Sequence, residues 1–123
     1  MQVLVVDDSQ IMRKIIIGAL KKLGVNDIME ASDGQQAIDI VSHDATVGLV
    51  LMDWNMPVMT GIDAVRKIRA GNIKTPVVMV TTEAEKEKVM EAIKSGANDY
   101  LIKPFNHKDI QGKLEKFLQC VDK

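Results

Sequence analysis

The apolar positions fall into two alternating rhythms. Short apolar runs at Val3–Val6, Ile28–Ala31, Leu49–Met52, Val77–Val80 and Tyr100–Ile102 have the length and composition of strands. Between them the apolar residues spread to a spacing of three and four. Met12, Ile15, Ile16, Ala19, Leu20 and Leu23 predict a first helix that stops at Gly24. Ala37, Ile38 and Val41 share one side of a second, over roughly Gln35 to Ser42. A third starts after Thr60, a suitable N-cap, and carries Ile62, Val65 and Ile68. A fourth, Ala84 to Ser95, is expected to bury Val89, Ala92 and Ile93 and to end at Gly96. The last opens at Asn106, with Asp109 three residues on, and carries Ile110, Leu114, Phe117, Leu118 and Val121.

Five strands alternating with five helices predict an α/β fold, a parallel sheet covered by helices on both faces, with right-handed crossovers. The 123 residues show no repeat, low-complexity tract or linker, so residues 1–123 are expected to form one domain.

Charge narrows the class. Sixteen Lys and Arg face seventeen Asp and Glu, which argues against a grip on nucleic acid. Even the lysine-rich stretch Glu85-Lys86-Glu87-Lys88 alternates in sign, as on a solvated helix face. Cys120 has no partner for an internal disulfide and fits a reducing compartment. His43 and His107 lack the spacing and the cysteines of a zinc site. The start MQVLVVDD is not a secretion signal, and no stretch approaches the roughly 20 apolar residues of a membrane span. A soluble cytoplasmic protein without membrane insertion is expected.

Ligands of open α/β sheets bind at the carboxyl ends of the strands. There the sequence places Asp7 and Asp8, then Asp53, then Thr81 and Thr82, then Lys103 and Pro104. Each has an ordinary role when taken alone. Asp7 or Asp8 could cap a helix, Asp53 could be a loop residue, and Thr81 could bond backbone. Lys103 could be surface, and Tyr100 could be half-buried packing. At the ends of four strands of one sheet they form a constellation. Three close carboxylates repel unless protonated or countered. A hard cation such as Mg²⁺ counters them and keeps positions open for phosphate oxygens. Lys103 and the Thr81 hydroxyl are donors for such oxygens, and the central Asp53 is a nucleophile that phosphorylation turns into an acyl phosphate.

The pieces VLVVDDS, LMDWNMP, VTTE and YLIKPF, in this order and spacing, closely resemble the receiver domains of two-component response regulators. The resemblance covers essentially the whole chain. DWNMP followed by KPF is most like the single-domain chemotaxis regulators of that family. It implies a flavodoxin-like (βα)5 receiver with strand order 2-1-3-4-5. Asp53 is then the phosphoacceptor. Asp8 ligates Mg²⁺ directly, Asp7 does so through water, and Asn55 supplies a backbone carbonyl. Lys103, before a cis peptide bond to Pro104, binds the phosphoryl group. Thr81 is the switch hydroxyl and Tyr100 the aromatic that turns behind it. The donor would be a CheA-like histidine kinase. The readout face on the fourth helix, fifth strand and fifth helix would include Lys86, Val89, Met90, Tyr100 and Lys113 and bind a FliM-like flagellar motor switch protein. Asn55 and Glu83 hold the positions that tune loss of the phosphoryl group, sometimes with a phosphatase. The protein would be a monomer whose only chemistry is on itself.

Two residues depart from the family pattern. Thr60 stands where Asp is common, and either caps a helix. Thr82 stands where a small residue is usual, beside the entry to the site, and is expected to slow phosphorylation. The competing readings are a receiver cut from a larger regulator with a DNA-binding output, an aspartyl-nucleophile metal-dependent phosphatase, and a flavodoxin-like cofactor binder. Lys123 follows the last helix and Met1 lies near the first strand, which favours a stand-alone protein. Asn55 removes the second acid that the phosphatase needs. Asp7-Asp8-Ser9 is acidic where an anionic cofactor needs glycines and free N–H groups.

Overall fold

Parallel strands with a helix on each face have no wet side, which is why their sequences read as unbroken apolar runs. β1 (Gln2–Val6) lies between β2 (Ile28–Ala31) and β3 (Val47–Asp53), followed by β4 (Val77–Thr82) and β5 (Asp99–Lys103). The order is β2-β1-β3-β4-β5, all parallel, as expected. The helices are α1 (Gln10–Lys22), α2 (Gly34–His43), α3 (Gly61–Ala70), α4 (Val89–Lys94) and α5 (His107–Leu118). The computed structural model describes residues 2–44, 46–54, 56, 59–82, 88–103 and 105–118. Among these, no helix is long and apolar enough to cross a membrane.

The two-residue period of the strands divides the core in two. Leu4, Val6, Val50, Met52, Val77 and Met79 pack with Ala37, Val41, Ala64, Val65 and Ile68 of α2 and α3. Val3, Val5, Leu49, Leu51, Val78 and Val80 pack with Ile16 and Leu20 of α1 and Ile110 and Leu114 of α5. Ser9, Asp33 and Thr60 cap α1, α2 and α3, accepting from the N–H groups of Met12, Gln36 and Asp63. Such a cap is worth about 1 kcal/mol. Asp7 and Asp8, expected as possible caps of α1, are not its N-cap. Ser9 takes that place and leaves both carboxylates to other uses.

Several elements differ from the sequence expectation. β3, β4 and β5 run on into polar residues, because ladder hydrogen bonds need no apolar side chain. Asp53 pairs with Val80, and Thr82 with Lys103. Ile15, expected on the buried side of α1, is 52 % exposed; the stripe centres on Ile16 and Leu20. Ile93, expected to be buried, lies at the exposed margin of α4, where Val89 and Ala92 face inward. The expected start of that helix at Ala84, and Val121 of the last helix, lie outside the described residues.

At the end of the sheet opposite the strand carboxyl ends, Arg69 joins α3 to its neighbours. Its guanidinium donates to the carbonyls of Ile73, Thr75 and Gly96 and to Asn98 Oδ1, at 2.8–3.0 Å. Gly96 has φ of +121°, and a Cβ there would meet Arg69 Cγ at 2.6 Å. Only glycine permits both the turn and this approach.

Candidate functional site

β1 and β3 are adjacent and parallel, so their carboxyl ends come out side by side. Asp7 follows β1 and Asp53 closes β3. Both are buried, at 2 % and 6 % exposed, while Asp8 is exposed. Carboxylate oxygens of Asp7, Asp8 and Asp53 lie within 4.8 Å of one another. Lys103, the last residue of β5, donates from Nζ to Asp53 Oδ1 at 2.8 Å and stands 3.5 Å from Asp7 Oδ2. Asp7 Oδ1 accepts the N–H of Ser9 at 2.9 Å. Asp7 Oδ2 is buried and, among the described residues, accepts no hydrogen bond.

Burial raises the Asp53 carboxyl above its ordinary range, and the charge of Asp7 adds to the rise; the Lys103 hydrogen bond opposes it. Burial pulls Lys103 down, yet the hydrogen bond and charge of Asp53, with Asp7, outweigh it and leave the ammonium raised. The lysine is therefore held in its protonated form, and Asp53 sits among more acidic neighbours than one ammonium satisfies.

The orphan oxygen of Asp7, with Asp8 and Asp53 beside it, fits a divalent cation. An all-oxygen set of few carboxylates suits Mg²⁺, which keeps several waters.

Thr81 is buried near the end of β4, one residue beyond the partner of Asp53. Among the described residues its hydroxyl donates to the Thr82 carbonyl, at a long 3.4 Å. The loop after Asp53 is closed by hydrogen bonds from Trp54 N–H to the Val80 carbonyl and from Gly61 N–H to the Trp54 carbonyl. Tyr100, on β5, is half-buried, with Lys113 Nζ 4.3 Å from its ring centroid. Met90 is 63 % exposed. Val89, expected on the partner face, is 5 % exposed, because it is one of the two residues that anchor α4 to the sheet. Asn55, Glu83, Lys86 and Pro104 lie outside the described residues.

Two contacts, one at the site and one at the far end of β5, escape the sequence. Arg13 donates from Nη1 to the Asp7 carbonyl and from Nε to Glu30 at 2.9 Å, tying the acidic loop to β2. Asp99 accepts from Lys113 at 3.2 Å. Neither belongs to a motif; both depend on strand order and side-chain reach.

Fold and site define an open, doubly wound α/β protein with an acidic cluster that could hold a metal ion and a half-buried lysine at the carboxyl edge of its sheet. The family model described as response regulator receiver domain matches residues 3–115, and the chain belongs to that family. It is 43% identical to the chemotaxis protein CheY1 of Helicobacter pylori over 99% of this chain and 100% of that one. The structure of Vibrio cholerae CheY4 superposes with a TM-score of 0.84 at 35% identity, covering 94% of this chain and 97% of that one. A receiver domain of the sensor histidine kinase PA1611 from Pseudomonas aeruginosa PAO1, with a magnesium ion coordinated in its active site cleft, gives 0.84 at 29% identity, covering 96% and 97%.

Proposed function

We propose that this chain is a chemotaxis response regulator in which Asp53 accepts a phosphoryl group from a CheA-like histidine kinase. The observation that carries the reading is the 2.8 Å contact of Lys103 with Asp53 inside the cluster of Asp7, Asp8 and Asp53. An Asp53 oxygen attacks the phosphorus of a phosphohistidine in line. The P–O bond forms as the P–N bond breaks; the P–N electron pair goes to the ring nitrogen, and the imidazole, already carrying a proton on its other nitrogen, leaves neutral. Lys103 holds charge on the phosphoryl oxygens. Asp7, Asp8, Asp53 and the Asn55 carbonyl would hold Mg²⁺, which supplies charge neutralisation. The Thr81 hydroxyl, weakly engaged at rest, turns to the new phosphoryl oxygens, and Tyr100 follows. This is a local electrostatic event that biases a two-state element.

The readout surface is Lys86, Met90, Tyr100 and Lys113, with Val89 beneath it, and the partner is a FliM-like flagellar motor switch protein. Water then cleaves the acyl phosphate, with Asn55 and Glu83 tuning the rate and a phosphatase as a further partner. The chain works in the cytoplasm as a monomer and turns over no external substrate.

Intact mass after incubation with acetyl phosphate tests the reading. One phosphoryl group is expected with Mg²⁺, none without it, and none in Asp53→Asn. A folded wild type that gains nothing, even with fast quenching, would show a metal pocket without phosphotransfer.

A further inference from the structure

Asp99 opens β5 and Lys103 closes it, about 13 Å further along the strand. At the Asp99 end, three side chains form a cluster that the phosphoryl chemistry does not use. Asp99 Oδ1 accepts the N–H of Tyr100 at 2.8 Å, which fixes the carboxylate against its own strand. The same oxygen accepts from Lys113 Nζ at 3.2 Å. That ammonium lies 4.3 Å from the centroid of the Tyr100 ring, within the range of a cation–π contact. Lys113 belongs to α5, whose Ile110 and Leu114 are fully buried, so its stem starts from a fixed base. Strand and helix thus hold the two charges, and the charges hold one face of the ring.

We propose that Asp99 and Lys113 form a latch that retains the Tyr100 ring in its unphosphorylated position, and so set how far the resting protein lies from its switched state. Lys113 touches the ring. Asp99 is a positioning residue that acts through Lys113. An exposed cation–π contact of this kind shifts a two-state equilibrium by about twofold to fivefold. The consequence for switching rests on the phosphoacceptor reading above; the restraint itself rests only on the three contacts.

Tyr100 is the single tyrosine of the sequence, so 3-fluorotyrosine gives one ¹⁹F signal. Wild type, Asp99→Asn, Lys113→Met and Lys113→Arg would be compared as intact chains, alone and during titration with beryllofluoride and Mg²⁺. Beryllofluoride mimics a phosphoryl group on a carboxylate. Asp99→Asn and Lys113→Met should move the unloaded signal toward its loaded position and lower the half-saturating beryllofluoride concentration about twofold to fivefold. Lys113→Arg, which keeps a cation on the ring, should stay near wild type. A merely structural contact would change stability without moving the midpoint. If the wild-type signal responds but the first two variants match it, the latch is overturned. A wild-type signal that does not respond overturns the phosphoacceptor reading and the latch's switching role together.

Discussion

Asp53 and Lys103 are held in a 2.8 Å contact that, in the proposed phosphoacceptor reading, each must leave in part. Thr81 is ready for the change, since its 3.4 Å hydrogen bond to the Thr82 carbonyl is near the limit for a hydroxyl. Thr82 itself is the residue to test. It pairs in register with Lys103, whose ammonium bonds Asp53, and its bulk is expected to slow approach to that carboxylate. Thr82→Ala should accept phosphoryl from acetyl phosphate a few-fold faster, a barrier change of less than about 1.4 kcal/mol. Trp54 follows Asp53, is buried and is the sequence's only tryptophan, so stopped-flow fluorescence can read the rate. Equal rates for the two proteins would remove Thr82 as a gate.

Among the elements, the junction of β3 with α3 is tightly built at its described residues. The Gly61 N–H returns to the Trp54 carbonyl at 3.0 Å, bringing the first turn of α3 against the end of β3. A Cβ on Gly61 would overlap the Asp53 carbonyl oxygen and approach Met79 Cε to 2.7 Å. Backbone cannot yield there without displacing the carboxylate that it carries. Gly18, by contrast, lies inside α1, is exposed and has nothing within 4 Å of its would-be Cβ. Opposite signs are therefore expected in urea unfolding. Gly61→Ala should lose about 2 kcal/mol or more, as overpacking costs, and should also slow phosphoryl uptake. Gly18→Ala should gain about 0.5–1 kcal/mol and leave uptake unchanged. A neutral Gly61→Ala would mean that the junction relaxes more easily than its contacts indicate.

For the whole molecule, the strand order came only from the resemblance to the receiver family, but the placing of three acids and a lysine on one edge was legible in the chain, because alternation and the parallel-sheet rule determine where strand ends lie. The exposed Ile15 and Ile93 were not, since helical spacing defines a face but not how far a neighbour covers its margin. Arg13 and Asp99 were not either, because their partners come from other strands and helices. The edge has a global consequence. Asp53 is raised above its ordinary 3.8, chiefly by burial, so the folded chain binds that proton more tightly than the unfolded one. Stability then falls as pH rises from near 3.8 through the folded value. Lys103 is raised above 10.5, so its contribution is complete below 10.5 and is lost only as pH rises through its folded value. Burial and the charge of Asp7 thus disfavour the ionised form of Asp53, and a cation beside the three acids should relieve that cost. Mg²⁺ at about 100 times its Kd should stabilise the fold by about 2.7 kcal/mol. The gain should shrink as pH falls toward about 4, because protons compete for the same oxygens. Asp8→Asn should lose most of it. Urea midpoints with and without Mg²⁺ at the two pH values measure this directly, and midpoints indifferent to Mg²⁺ at both would mean that the three acids hold no ion.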